Sequence, residues 1–256
     1  MKRLLMLLSL CLCTTNILAE KFPTFLKKRF TSPDGTVLNY RIQYPIDYDS
    51  SKTYPLLLFL HGAGERGEDN CAQLIHGGKL FSSWECRTQF PAIIIAPQCP
   101  KDKQWAPYQK PSPAEGRIFP VSSAPTKQGK AVKELLDRYI KKGIVDTKRI
   151  YISGLSMGGM GTFDLVLRHP HIFAAASPIC GGTNTERIAK FKGKTAFRIY
   201  HGAADSVVSV ELSRQATKAL QAVGCTVEYI EYPGVDHNSW DNAFAEPDFI
   251  KWMFEK

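Results

Sequence analysis

Ser156, Asp205 and His237 follow one another along the chain in an order suited to acyl transfer. A serine hydroxyl is a weak nucleophile until a base takes its proton. An imidazole can do so when a carboxylate fixes its tautomer and stabilises its charged form. Ser156 stands at the centre of Gly154-Leu155-Ser156-Met157-Gly158. Small residues on both sides of a serine permit the sharp strand-to-helix turn that presents its hydroxyl, and serine, acid, histidine is one known chain order for this chemistry. The expected roles are therefore Ser156 as nucleophile, His237 as base and Asp205 as the acid that orients it. Asp241 is a rival acid because it lies close to His237 in a loop. Asp236 adjoins His237, but neighbouring side chains in a turn seldom face each other. His61 and His201 each end an apolar run before a glycine and read as buried, hydrogen-bonded imidazoles. His76, His169 and His171 precede the strands that carry the acid and the base. The competing reading of Ser156 is an ordinary serine at a helix N-terminus.

Attack on a carbonyl creates an oxyanion, which needs two preorganised donors. The residue after the nucleophile supplies one, the backbone N–H of Met157. The loop after an earlier strand supplies the other. In His61-Gly62-Ala63-Gly64 the candidate is Ala63, with Gly64 next, and the glycines let the main chain approach a substrate closely. Trp105, Tyr108 and Trp240 fall near the same edge and are candidates for stacking on a substrate. Packing within their loops is the competing reading.

These side chains need a sheet to hold them. Phe25 to Thr31 and Val37 to Tyr44 read as strands joined by the turn Pro33-Asp34-Gly35, an antiparallel hairpin. Tyr54 to Leu60 and Ala92 to Ala96 are continuous apolar runs, as in strands buried on both faces. Residues 97–125 read as a long loop rich in Pro, Lys, Ser and Gln. Lys127 to Lys142 is amphipathic at helical spacing and Gly143 ends it. Arg149 to Ser153 is the strand entering the turn at Ser156, and Met160 to Arg168 the helix leaving it. Ala174 to Ile179, Ala196 to Tyr200 and Val227 to Tyr232 are further strands. Val208 to Val223 and Pro247 to Phe254 are helices. Alternating strands and helices predict an α/β fold, a mostly parallel sheet with helices on both faces. Asp205 and His237 then fall just beyond strands at the carboxyl edge of that sheet, where ligands bind.

At this point the residues resemble a known group. Leu56 through Gly67, with His61-Gly62-Ala63-Gly64-Glu65-Arg66-Gly67, is similar to the oxyanion loop of secreted α/β-hydrolases described as predicted peptidases, dienelactone-hydrolase-like proteins or phospholipase/carboxylesterases. Ala96-Pro97-Gln98-Cys99-Pro100 and His237-Asn238-Ser239-Trp240 are similar to segments of the same group. The Gly154 to Gly158 turn is general to the fold, whereas the Gly64 to Gly67 and His-Asn-Ser-Trp pieces are narrower. The resemblance spans about Val37 to Phe254. It implies an α/β-hydrolase fold and esterase chemistry through Ser156, Asp205 and His237, with feruloyl and acetyl-xylan esterases and polyhydroxybutyrate depolymerases as relatives. Dienelactone hydrolases use a cysteine nucleophile. Ser156 in its place favours carboxylic esters.

The remaining composition narrows the class. Of 256 residues, 44% are hydrophobic and 22% charged, ordinary for a globular protein. Lys2 and Arg3 precede an apolar run from Leu4 to Leu12, and small polar residues lead to Ala19. This reads as a signal peptide over residues 1–19 cleaved after Ala19, leaving one hydrolase domain over residues 20–256 in a secreted or periplasmic protein. The run is too short to span a membrane, so no stable insertion is expected once it is removed. A lipid anchor at Cys11 or Cys13 is the weaker reading, since a bulky Leu precedes each. The formal charge of +9 falls to +7 without Lys2 and Arg3, and it is scattered. That gives no nucleic-acid footprint, though a mild attraction to anionic polymers is expected. Cys71, Cys86, Cys99, Cys180 and Cys225 remain, an odd number that leaves at least one thiol free. Cys180 and Cys225 read as core residues, and any bridge among the other three is open. No metal-ligand set or phosphate loop is present, so no metal and no cofactor is implied. The expected activity is serine esterase, acting on a small-molecule or polysaccharide-linked ester such as an acetyl or feruloyl ester of a plant polymer. The alternatives are a serine peptidase of the prolyl-oligopeptidase-like type and a non-catalytic binding module on the same fold.

Overall fold

The computed structural model describes residues 22–109 and 118–256. The expected leader, its cleavage point, Cys11 and Cys13 lie outside the described residues. Eight strands form one sheet, in the order β1-β2-β4-β3-β5-β6-β7-β8. They are β1 (Leu26–Thr31), β2 (Val37–Gln43), β3 (Tyr54–Leu60), β4 (Ile93–Gln98), β5 (Val145–Leu155), β6 (Ala175–Ile179), β7 (Ala196–Gly202) and β8 (Val227–Tyr232). The β1–β2 and β2–β4 pairs are antiparallel and every other pair is parallel. The antiparallel start and parallel remainder match the expected α/β-hydrolase architecture.

The helices cover both faces. On one face α3 (Lys127–Lys141), α4 (Met157–Arg168), α5 (Thr185–Ala189) and α6 (Glu211–Ala222) pack on Leu56, Leu58, Ile95, Ile152 and Phe197. On the other, α1 (Gly78–Ser82), α2 (Trp84–Gln89), α7 (Trp240–Ala245) and α8 (Phe249–Phe254) pack on Leu57, Phe59, Ile94, Tyr151 and Tyr200. Successive residues of β3 thus enter opposite cores. That is why the strand reads as an unbroken apolar run and not as an alternation.

Local differences from the sequence expectations have local causes. β5 runs from Val145 to Leu155, longer than the apolar stretch, because its first half carries exposed Thr147, Lys148 and Arg149. α4 starts at Met157, directly after the serine. α1, α2, α5 and α7 have only five or six residues each, too few for a helical period to show. No disulfide joins Cys71, Cys86, Cys99, Cys180 and Cys225 among the described residues. No helix among the described residues is long and apolar enough to cross a membrane.

Candidate active site

The turn between β5 and α4 holds Ser156 at φ 52° and ψ −113°, a left-handed region that non-glycine residues seldom occupy. Its amide donates to the Ile179 carbonyl at 2.9 Å, and its carbonyl accepts from the Met160 amide at 3.0 Å. Main-chain bonds on both sides therefore hold the strained residue. The flanking glycines are steric requirements. A Cβ at Gly158 would stand 1.9 Å from the Leu60 carbonyl oxygen, and one at Gly154 would stand 2.5 Å from the Gly158 oxygen. The elbow thus packs backbone against backbone on the end of β3.

Ser156, His237 and Asp205 meet in one hydrogen-bonded line. His237 Nδ1 is 2.8 Å from Asp205 Oδ2, and His237 Nε2 is 2.9 Å from Ser156 Oγ. A carboxylate only accepts, so Nδ1 carries the hydrogen. Nε2 of the neutral ring is then the acceptor for the serine hydroxyl. The line leads from a fully buried carboxylate to a partly exposed imidazole. Asp205 also accepts at Oδ1 from the amides of Val207 and Val208, each at 2.8 Å, and at Oδ2 from His201 Nε2 at 3.1 Å. Burial alone would raise its pKa. The bonds from His201, His237 and the two amides outweigh that and hold the carboxyl far below the usual range.

The rival acids are engaged elsewhere. Asp236 accepts from the Ser206 amide and hydroxyl and from the His237 amide. Asp241 accepts from Asn238 Nδ2 at 3.3 Å. His201 is buried, as its position before a glycine suggested. Its Nε2 faces two acceptors, Asp205 Oδ2 and the Val208 carbonyl at 3.0 Å, so it donates to both while Nδ1 faces the Ser213 hydroxyl at 2.7 Å. Its sharing of the Asp205 carboxylate is something spacing along the chain does not show.

The loop after β3 runs alongside the elbow. A Cβ at Gly62 would lie 2.8 Å from the Leu155 side chain. Ala63 opens a single 3₁₀ turn, Ala63–Glu65, capped from below when Arg66 Nε donates to the Ala63 carbonyl at 2.8 Å. His61 anchors the loop. Its Nε2 accepts from the Cys99 amide at 2.8 Å, so its Nδ1–H donates to the Gly62 carbonyl at 2.6 Å. Burial depresses its pKa to about 4. Trp105 corrects the sequence expectation. It is 1% exposed, and its indole N–H donates to the His61 carbonyl at 3.1 Å. It supports the loop from within the core and offers no face to a substrate. Tyr108 is partly buried with its ring 6.0 Å from Phe119. Trp240 lies at the site, its ring centroid 5.4 Å from that of His237.

A model of the phospholipase/carboxylesterase family matches residues 44–251. This chain belongs to that family. A probable carboxylesterase of Oryza sativa subsp. japonica is 29% identical, over 81% of this chain and 80% of the relative. An uncharacterized secreted protein of Arthroderma benhamiae is 26% identical, over 93% of this chain but 27% of the relative. Among solved structures, a thermostable esterase superposes with a TM-score of 0.79 at 35% identity, covering 91% of this chain. The chain spans 63% of that esterase's length. A ferulic acid esterase of Anaeromyces mucronatus, at 17% identity and a TM-score of 0.67 with 94% of each chain covered, shares the fold.

One further side chain stands beside His237 and Asp205. Cys180, at the end of β6, is buried in a left-handed conformation with φ 39°. Its donor atom and those of Asp205 and His237 lie within 4.8 Å of one another. The sequence places Cys180 in the core, which holds. Nothing in the pattern around it shows that the core here reaches His237.

Proposed function

We propose that this family member is a serine hydrolase of carboxylic esters working through an acyl-enzyme. The observation that carries the reading is the line Ser156–His237–Asp205, closed by bonds of 2.9 and 2.8 Å across three separate loops. Ser156 Oγ attacks the ester carbonyl carbon while His237 Nε2 takes the hydroxyl proton. Asp205 holds the tautomer and stabilises the imidazolium. The amides of Met157 and Ala63 receive the oxyanion. The support for this pair is the packing of the Gly62 main chain against Leu155, one residue before the nucleophile. Collapse of the tetrahedral species expels the alcohol, which takes the proton from His237. Water then attacks the acyl-enzyme with His237 again as base, releasing the acid and regenerating Ser156.

The acyl group in this reading comes from an acetyl or feruloyl ester of a plant polysaccharide, supported by likeness to a ferulic acid esterase and by the apolar leader. The leader over residues 1–19 directs export, and a relative named as secreted accords with that. N-terminal sequencing of protein recovered outside the cytoplasm should begin at Glu20.

Ser156→Ala should lower hydrolysis of p-nitrophenyl acetate by about four orders of magnitude or more. It should also abolish labelling by a fluorophosphonate probe. Ester turnover retained in that variant, or efficient peptide cleavage by a wild-type protein inert to esters, would overturn the reading.

A further inference from the structure

The two sequence pieces that the fold alone does not require meet beside His237. One is Glu65 of Gly64-Glu65-Arg66-Gly67, and the other is Trp240 of His237-Asn238-Ser239-Trp240. His76 joins them. Its Nε2 lies 3.6 Å from Glu65 Oε1, and its ring centroid lies 5.0 Å from that of Trp240. Trp240 also meets His237, edge to face, with ring centroids 5.4 Å apart. The indole therefore contacts both the imidazole that bonds Ser156 and the imidazole that faces Glu65.

Two polar atoms of this cluster are left over. Glu65 is 8% exposed, and its Oε2 is buried with no hydrogen-bond donor among the described residues. His61 Nδ1 is 4.0 Å away, but its hydrogen is committed to the Gly62 carbonyl. Trp240 Nε1 is buried with no acceptor among the described residues. A buried carboxylate oxygen and a buried N–H, both unmatched, carry a desolvation cost that a matching ligand group would relieve. Glu65 Oε2 calls for a donor and Trp240 Nε1 for an acceptor, and the hydroxyls of a polyol supply both. A cyclic polyol can also lay an apolar face on the indole.

The position selects which half of an ester this is. His237 must hand its proton to the departing alcohol, so groups packed against His237 border the alcohol and not the acyl chain. We infer that Glu65, His76 and Trp240 form a leaving-group subsite that favours esters of polyhydroxy alcohols. Of His76 and Glu65, the His76 side chain is the more exposed, at 29% against 11%. The inference rests on the esterase reading above and adds the alcohol that this reading leaves unnamed.

The test pairs two esters with one acyl group, glyceryl monoacetate and ethyl acetate, using the purified protein. The wild type should favour the glyceryl ester about tenfold in kcat/KM, and Glu65→Gln and Trp240→Phe should each erase most of that ratio, chiefly through KM. A wild-type ratio near one, or a ratio kept in both variants, overturns the subsite. An equal loss on both esters assigns these residues a structural role and also overturns it. A second measurement needs no variant: methyl xyloside should compete with p-nitrophenyl acetate where 2-methoxyethanol does not, and equal inhibition by the two counts against the subsite. A wild type that cleaves neither ester and takes no fluorophosphonate label refutes the esterase reading itself, and the subsite with it.

Discussion

Asp205 is the most heavily bonded side chain of the site, and one of its partners is another histidine. Its Oδ2 is shared between His237 and His201, so the charge that steadies the imidazolium is divided. Removing the His201 donor should concentrate that charge on His237 while loosening the rotamer of Asp205. His201→Ala is expected to lower kcat/KM about tenfold and to move the acid limb of the pH–rate profile upward. His201→Gln keeps an N–H donor and should fall between the two. A loss of stability with an unmoved pH profile would mark His201 as a core residue only. The residues of the line itself were legible in the sequence, because a small-residue turn, a chain order and positions after apolar runs suffice to nominate them. The partners of that line were not. His201 and Cys180 reach it through the third dimension, from the ends of different strands, and His76 and Glu65 approach Trp240 beside it. Trp105 failed for the opposite reason: a loop rich in Pro and Lys suggested exposure, yet the indole turns inward to the His61 carbonyl.

The elbow is an element whose geometry comes from absent side chains. Gly158 meets the Leu60 carbonyl closely enough that any Cβ must push β3 and α4 apart. Gly158→Ala should cost about 3 kcal/mol in urea unfolding, at the upper end for an overpacked site, and lower esterase turnover with it. Gly64→Ala is the control. A Cβ there meets nothing within 4 Å, so stability should stay within about 0.5 kcal/mol. A Gly158→Ala protein as stable as wild type would mean that the elbow relaxes freely. Element types were readable wherever a segment was long and buried on two faces, as in β3, β4 and β7. They were unreadable for the single-turn helices α1, α2, α5 and α7. Those helices owe their form to tertiary contacts such as Phe81 on Phe59 and Phe244 on Phe249, and not to their own periodicity.

At the scale of the whole molecule, His61 couples the site to acid stability. Its ring is neutral when folded, with a pKa near 4 against 6.5 for the free side chain. Between those values the unfolded chain binds the proton and the folded chain does not, so stability must fall as pH falls. The full interval corresponds to about 3 kcal/mol. Asp205 acts in the same direction at lower pH, since its depressed folded pKa gives stability that is present above the ordinary carboxylate range and lost on acidification below it. Urea midpoints taken from pH 7 to pH 4 should decline with a slope that His61→Gln reduces. An unchanged slope in that variant would assign the acid sensitivity elsewhere. The sheet order also bears on how the chain reaches this state. Leu56 lies in register with Ile150, and Leu60 with Gly154, so the central ladder joins segments made far apart in time. A chain emerging residue by residue cannot close that ladder until β5 has appeared. Topologies built on such distant pairings fold slowly. If the leader directs export as proposed, that delay keeps the nascent chain threadable through a narrow pore, and the serine is not set on its strained turn until the whole sheet has assembled.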